Sequence, residues 1–135
     1  MMDFNGVRLG EFIVLDVETT GLNKNDDKII EISAVKFKGG EVVDIFSKLI
    51  NPNRKIPHFI EDLTGISNSD VQNKPSFSEI SMDLIKFIEK NPIIGHNVIF
   101  DIDFINKELN GTYNIHKESF ICDTYYLSKI FLYDL

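Results

Sequence analysis

The chain has 135 residues with 43% hydrophobic content and a formal net charge of −7. This length and apolar content support one folded unit with its own core, so we expect a single domain over residues 1–135. The acidic balance excludes a protein that holds nucleic acid by general positive charge, because that attraction needs clustered Lys and Arg. Divalent cations in a carboxylate site would still reverse the local field.

The single cysteine, Cys122, excludes an internal disulfide and a zinc site built from several thiolates, and we expect a buried thiol. No apolar run approaches the roughly 20 residues that a membrane span needs. The residues before Glu11 lack the apolar core of a signal peptide. The sequence therefore predicts a cytoplasmic protein with no membrane partner.

The first strong pattern is an apolar run at residues 12–15, which ends in polar residues and Gly21. It predicts a strand that is buried on both faces at the centre of a sheet. Residues 29–37 and 42–50 are rich in β-formers and flank the glycine pair 39–40. They predict two further strands joined by a hairpin turn.

Two helices are predicted in the middle of the chain. Pro57 begins a short helix that ends at Gly65. A longer helix is predicted over residues 77–88, where apolar residues recur at helical spacing and Ser76 or Ser78 can cap the start.

A strand–helix pair follows. Residues 93–94 predict a short strand, and the segment from Val98 to Leu109 carries one apolar stripe. That stripe predicts a helix with Asn97 as its N-cap. Residues 120–122 predict another strand.

A last helix is predicted to open at Asp123 or Thr124, with Leu127, Ile130 and Phe131 facing inward. The predicted order is three strands in a meander, then helices, then strand, helix, strand and helix. Such an order predicts an α/β fold whose mixed sheet has parallel strands on one side.

Asp16 and Glu18 lie two residues apart at the end of the first predicted strand. Because side chains alternate along a strand, both carboxylates point to one side, at the strand end where open α/β sheets bind ligands. They repel each other unless a hard cation such as Mg²⁺ or Mn²⁺ lies between them. An isolated Asp-x-Glu is more often an ordinary polar strand end, so the pair needs support from elsewhere.

Asp101 falls in the first turn of the helix that follows His96 and Asn97, where the helix dipole stabilises a carboxylate. On the helix surface it stands with Asn97, Phe100 and Phe104 rather than with the core stripe. Taken alone, Asp101 is better described as a surface acid that complements the dipole, and His96 as an ordinary turn residue.

Residues 16–22 (DVETTGL) and 96–105 (HNVIFDIDFI) together resemble the first and second exonuclease motifs of the DEDD, or DnaQ-like, superfamily of 3′–5′ exonucleases. Residues 29–35 and 63–66 also match segments common there. The resemblance implies a ribonuclease-H-like mixed sheet flanked by helices. It further implies hydrolysis of terminal phosphodiesters with two divalent cations, Mg²⁺ or Mn²⁺.

The same resemblance implies a role in proofreading or repair, with the 3′ end of single-stranded DNA as substrate and a DNA polymerase as a partner. RNA is the alternative substrate, because no contact to a 2′-hydroxyl can be placed.

By this resemblance Asp16 bridges both metal ions, Glu18 binds the ion that activates water, and Asp101 holds the other. The terminal nucleotide is contacted by five residues of the two motifs, namely Thr19, Leu22, Asn97, Phe100 and Phe104. Core packing is an equal alternative for Phe104.

The third motif of the superfamily is a metal-binding Asp with a His five residues or a Tyr four residues before it, and it has no counterpart here. Asp134 is the only acid near the end, with Lys129 and Ile130 at those positions, and His116 is expected to be solvent-exposed. We expect a fragment of a His-type enzyme whose final helix lies beyond Leu135. Alone it should be nearly inactive, because a general base commonly contributes about 10²- to 10⁴-fold in rate.

Two other interpretations remain. A degenerate family member would bind nucleic acid or a partner protein without cutting it. A Mg²⁺-dependent phosphatase or another phosphoryl-transfer enzyme would share the carboxylates, but it gives no role to Leu22 or to the aromatic pair of the second motif.

Overall fold

The computed structural model describes residues 3–4, 7–8 and 10–132. Its strands, in chain order, are β1 Asp3–Phe4, β2 Val7–Arg8, β3 Glu11–Thr19, β4 Ile29–Lys38, β5 Glu41–Leu49, β6 Ile93–Gly95 and β7 Ile121–Asp123. Its helices are α1 His58–Thr64, α2 Asn68–Val71, α3 Phe77–Ile88, α4 Val98–Leu109, α5 Ile115–Glu118 and α6 Thr124–Leu132.

Five of the strands form one mixed sheet in the order β5-β4-β3-β6-β7, and β1 pairs with β2 separately. Strands β3, β4 and β5 are an antiparallel meander, whereas β6 and β7 run parallel to β3. The predicted α/β class, the central position of β3 and the parallel side are confirmed. Because β3, β6 and β7 are parallel, their carboxyl ends meet at one edge of the sheet.

The main core lies between one face of this sheet and the long helices. Ile13 and Leu15 of β3, Leu84 of α3 and Ile102 of α4 all belong to one buried cluster and are at most 2% exposed. Each such side chain contributes roughly 1.5–3 kcal/mol by leaving water. This face fixes the register of β3, since a slip by one residue would turn its apolar positions outward.

The other face of β3 is not buried, so the prediction of a strand buried on both faces was wrong. Val14 is 38% exposed, Asp16 is exposed, and Ile45 on the edge strand β5 is 63% exposed. Buried and open positions alternate along β3, but residues 12–15 do not show this because all four are apolar. The alternation can be recognised only at the end of the strand, where Asp16 and Glu18 lie on the open face.

The main helices begin and end close to their predicted positions. Helix α1 follows Pro57 and ends at Gly65, whose φ of 74° is readily adopted by glycine. In α3, the backbone N–H of Ser76 donates to the carboxylate of Glu79 at 2.7 Å, the reciprocal arm of a capping box. The hairpin turn between β4 and β5 is confirmed at Gly39 and Gly40, which have φ values of 61° and 82°.

Other elements differ from the prediction. Helices α2 and α5, of four residues each, were not predicted. In α6, of which every residue is described, none is buried, and Ile130 and Phe131 are 66% and 70% exposed, so their inward orientation was wrong. Cys122 is half-buried rather than buried. Among the described residues, no helix combines the length and apolar character needed to cross a bilayer.

Candidate active site

Asp16 and Glu18 lie at the carboxyl end of β3 and on the same face of the strand, as predicted. This face is opposite the main core, which was not predicted. Burial raises the pKa of the Asp16 carboxyl above its ordinary value. Burial, then the charges of Asp16 and Glu31, raise the pKa of Glu18. Glu31 lies directly opposite Glu18 on β4. The strand end therefore concentrates negative charge on one side of the sheet.

Asp101 reaches this strand end from the first turn of α4. Its side chain is only 5% exposed, and its Oδ2 accepts a hydrogen bond from the backbone N–H of Val17 at 3.3 Å. Val17 stands between Asp16 and Glu18 in the sequence, so the bond brings the third carboxyl to the strand segment that carries the other two. Asp101 therefore lies next to the strand segment that carries Asp16 and Glu18.

The three carboxyl groups also act on one another electrostatically. Burial first, and then the charges of Asp16, Glu18 and Asp123, raise the pKa of Asp101 to about 7, although the hydrogen bond from Val17 acts in the opposite direction. Within the described part of the chain, however, no three Asp, Glu, His or Cys side chains converge closely enough to enclose a metal ion by themselves.

Asp123, at the end of β7, is a fourth acid at this edge of the sheet and was not predicted to belong to the site. It is 7% exposed, and its carboxylate accepts hydrogen bonds from the backbone N–H groups of Asn97, Ile99 and Tyr125. The sequence marked it only as a start of the last helix. It also accepts hydrogen bonds at the start of α4, which is possible because β6 and β7 are neighbouring strands.

Asn97 occupies the N-cap position of α4, as predicted, but it does not cap the helix with its side chain among the described residues. Its φ of 53° is left-handed, a conformation that Asn tolerates better than most residues. The neighbouring His96 places Nδ1 3.2 Å from the hydroxyl oxygen of Thr124 and stacks edge-on against Tyr125. His96 thus ties the β6–α4 junction to α6.

The loop after β3 is shaped by a buried threonine and an aspartate that sequence reasoning missed. Thr20 is 1% exposed, and its hydroxyl donates to Oδ1 of Asp27 at 2.9 Å. The other Asp27 oxygen accepts from the Asn23 N–H at 3.0 Å. A Cβ on Gly21 would collide with the carboxylate of Asp27, so a larger residue there would displace the side chain that holds the loop. The hydroxyl of Thr19 donates to the Gly21 carbonyl.

Leu22, at the tip of this loop, faces a cleft shared with α4. Leu22 is 86% exposed, and the cleft of about 540 Å³ is lined by it together with Phe100, Phe104 and Lys24. Phe104 is 1% exposed and belongs to the core, with its ring centroid 4.8 Å from that of Phe100. Both rings line the cleft, but Phe100 is the more exposed of the two, and the buried Phe104 packs against it.

Two side chains contact Asp103, which also lines the cleft. Lys24 Nζ lies 3.2 Å from Oδ2 of Asp103, and His116 Nε2 lies 3.0 Å from Oδ1 of the same carboxylate. His116 is exposed, as predicted, although it belongs to α5 and not to a loop. Asp103 thereby links the loop after β3 and α5 to α4.

The third motif of the superfamily is not testable on the described residues. Asp134 lies outside them. Lys129 is exposed, and its ammonium lies 4.4 Å from the ring centroid of Tyr125.

A mixed sheet with acidic residues at the end of its central strand, joined by an acid from the helix after the neighbouring parallel strand, defines the class of ribonuclease-H-like folds with an acidic centre. Within that class, the chain belongs to the RNase T family, described as Exonuclease, which it matches over residues 13–133.

Curated relatives agree with this assignment. The chain is 41% identical over 126 residues to the 3′-5′ exonuclease DinG of Bacillus subtilis, covering 88% of the chain and 13% of that protein. It is 42% identical over 99 residues to the PolC-type DNA polymerase III of Clostridium perfringens, with 73% and 7% covered. With the DNA polymerase III subunit epsilon of Treponema pallidum it shares 37% identity over 118 residues, or 87% of the chain and 55% of the subunit. The chain therefore spans only part of each relative.

Solved structures show the same fold at low sequence identity. A product-bound exonuclease I superposes with a TM-score of 0.76 at 17% identity, covering 90% of this chain and 31% of that one. E. coli exonuclease I in complex with an oligonucleotide gives 0.77 at 16% identity, covering 90% and 29%. The ribonuclease-H-like fold with flanking helices is thus confirmed.

Proposed function

We propose that this chain is the catalytic part of a 3′–5′ exonuclease that releases nucleotides from the 3′ end of DNA. The observation that carries the proposal is the bond from the Val17 amide to Asp101 at 3.3 Å, because it brings a buried carboxyl to the Asp16–Glu18 strand end. Family membership supports hydrolysis as the activity. The position of Asp16, Glu18 and Asp101 supports the carboxyl end of β3 as the place where hydrolysis occurs.

The carboxylates of Asp16, Glu18 and Asp101 have the ligand chemistry that hard divalent cations require. Members of this family generally use divalent metals, and three carboxylates that repel one another at a strand end offer the oxygen ligands that Mg²⁺ and Mn²⁺ prefer. In this proposal Asp16 would help to hold both ions, Glu18 would hold the one that activates water, and Asp101 would hold the other. When bound, two such ions supply an activated water and charge stabilisation at the phosphate.

The cleft beside the acidic centre suits the end of a single strand. Leu22 projects from its loop with 86% exposure and faces Phe100 across the cleft, so a base can contact an apolar side chain on each side. Asn97 lies at the start of the same helix, and Thr19 holds the Leu22 loop through the Gly21 carbonyl. Phe104 contributes through its support of Phe100.

We infer DNA as the substrate and a DNA polymerase as a partner from the names of the relatives. Two of them are DNA polymerase III proteins, and a third is named a 3′-5′ exonuclease. The names of these relatives support a role in proofreading or repair. Both processes need an exonuclease that removes a nucleotide from a 3′ end.

The proposal is tested with the full-length gene product on a single-stranded DNA labelled near its 3′ end. We expect Mg²⁺- or Mn²⁺-dependent release of mononucleotides, and its loss by at least about 10³-fold in Asp16→Asn, because removal of one metal-bridging ligand disables the centre. Asp83→Asn, which changes an exposed aspartate on α3, is the matched control and should retain activity.

Three outcomes would overturn the proposal. Cleavage within the strand would indicate an endonuclease, and cleavage that persists in chelator would exclude the carboxylate centre. Binding of the labelled strand without any release would indicate the degenerate, non-cutting member of the family.

A further inference from the structure

The start of helix α4 is held by a carboxylate that belongs to another part of the sheet. Asp123 Oδ1 accepts from the Asn97 N–H at 2.9 Å and from the Tyr125 N–H at 3.0 Å. Its Oδ2 accepts from the Ile99 N–H at 3.2 Å. With 7% exposure, the carboxylate is almost entirely removed from water and satisfied by backbone donors alone.

The sheet topology places this carboxylate where it can serve two helices. Asp123 is paired with Gly95 across the parallel strands β7 and β6. Each strand is followed at once by a helix, α6 after β7 and α4 after β6. One side chain therefore receives N–H groups from both strand-to-helix junctions and joins them into a single unit.

Helix α4 depends on this external cap. The first N–H groups of a helix have no partner inside it, and its own N-cap residue supplies none among the described residues, since the Asn97 side chain makes no capping bond. Asn97 also holds a left-handed φ of 53°, which needs support from its surroundings. The two bonds from Asp123 to the Asn97 and Ile99 amides provide that support.

The orientation of the first turn decides where Asp101 points. Ile99 precedes Asp101 by two residues, and the only bond recorded for the Asp101 carboxyl within the described chain is the 3.3 Å contact with the Val17 N–H. This hydrogen bond is at the long end of the usual range, and the charge of Asp16 acts against the ionised Asp101 carboxyl, so the bond benefits from a rigid backbone on the Asp101 side.

We propose that Asp123 is a positioning residue, which clamps the first turn of α4 so that the Asp101 carboxyl stays against the end of β3. This inference rests on the proposed function for its catalytic meaning, but the geometry that it predicts can be measured without metal or substrate. A carboxylate is required because both of its oxygens accept. An amide at this position would turn an NH₂ group toward a backbone N–H.

The test compares Asp123→Ala, Asp123→Asn and Asp70→Ala in the full-length gene product. Asp70 is a matched control, since its carboxylate also caps a helix, accepting from the Ser67 N–H at 2.8 Å in α2. The first readout is hydrogen exchange of the Val17 amide without metal. We expect at least tenfold faster exchange in Asp123→Ala, a smaller increase in Asp123→Asn, and no change in Asp70→Ala.

The second readout is Mn²⁺ affinity by calorimetry together with steady-state kinetics. We expect affinity to fall at least tenfold in Asp123→Ala and partly in Asp123→Asn, with kcat reduced and KM for DNA unchanged. If Asp123→Ala does not fold, Asp123→Asn carries the test, because an amide oxygen in place of Oδ1 can still accept from Asn97 and Tyr125.

A purely structural role would give a different result, and so would failure of the proposed function. Unchanged Val17 exchange and unchanged Mn²⁺ affinity in a folded Asp123 variant would overturn the positioning role. If the unmodified protein releases no nucleotides while Val17 exchange still responds to Asp123 and not to Asp70, the proposed function fails and the positioning of Asp101 stands.

Discussion

Asp101 is held in a position where its negative charge is disfavoured, and this has a consequence for stability. Its ordinary pKa of 3.8 is raised to about 7 by burial and by neighbouring carboxylates. Between these two values the folded chain keeps a proton that the unfolded chain releases. The contribution of Asp101 to the free energy of unfolding of the metal-free protein therefore decreases as pH rises through this window, toward the pH range in which the carboxylate is free to bind metal.

The first prediction concerns how the free energy of unfolding changes with pH. In chelator, urea unfolding should give a higher free energy of unfolding at pH 5 than at pH 8, by roughly 1–3 kcal/mol. Asp101→Asn should remove most of the difference, because it replaces the titrating group with a neutral one of the same shape. If the free energy of unfolding of Asp101→Asn still changed with pH as much as that of the unmodified protein, the Asp101 carboxyl would not be buried as described.

The second prediction concerns Leu22, whose side chain is 86% exposed. Leu22→Ala should leave the unfolding midpoint unchanged, since it removes no buried surface. It should raise KM for single-stranded DNA roughly tenfold, because a base loses its apolar contact at the cleft. Steady-state kinetics with a 3′-labelled strand measure this, with Met82→Ala, exposed on α3, as the control. An unchanged KM would remove Leu22 from the substrate site.

At the scale of elements, the parallel pair β3 and β6 can approach each other only because Gly95 has no side chain. A Cβ at this position would lie 2.7 Å from the Leu15 carbonyl oxygen and 2.7 Å from the Cβ of Val98. The first of these is backbone and cannot move without shifting the central strand. The β6–α4 junction, which carries Asn97 and leads to Asp101, is built on this close approach.

The third prediction follows from that contact. Gly95→Ala should lower the free energy of unfolding by about 1–3 kcal/mol, because the added methyl forces the two strands apart. Gly10→Ala is the control, since a Cβ there meets no atom of the described residues within 4 Å. Denaturant midpoints of the two variants measure the difference. Equal midpoints would show that the strands do not pack as closely as described.

Much of the element order could be predicted from the sequence because the local signals agree. The apolar stripe of α4 and the hairpin glycines at 39–40 each indicate an element without reference to the rest of the chain. The inward orientation of Ile130 failed because an apolar stripe shows which side of a helix is apolar and not whether a partner covers it. The open face of β3 was missed for a related reason, since residues 12–15 are apolar on both sides.

The site was predictable to the extent that its residues lie in continuous motifs. Asp16, Glu18 and Asp101 stand out because each has a recognisable local context. Asp123 and Asp27 do not, since their partners are backbone N–H groups and a hydroxyl whose positions depend on the fold. A sequence shows which side chains can accept hydrogen bonds, but it does not show which distant amide will need one.

At the scale of the whole molecule, topology turns two distant segments into one acidic centre. The order β5-β4-β3-β6-β7 brings the helix after β6 to the end of β3, so acids separated by 85 positions, Asp16 and Asp101, influence each other's charge. The net charge of −7 is consistent with a nuclease because divalent cations, rather than Lys and Arg, would meet the phosphates at this edge.

The central claim is that Asp16, Glu18 and Asp101 together bind divalent cations. It is tested most directly by recording backbone amide NMR signals of the ¹⁵N-labelled protein during a titration with Mn²⁺, whose unpaired electrons broaden nearby signals. We predict that the signals of Val17, Glu18 and the first turn of α4 broaden first, that excess Mg²⁺ restores them, and that Asp101→Asn weakens the effect. Broadening centred on the exposed acids of the loop after β3, with the Val17 and Glu18 signals intact, would contradict it.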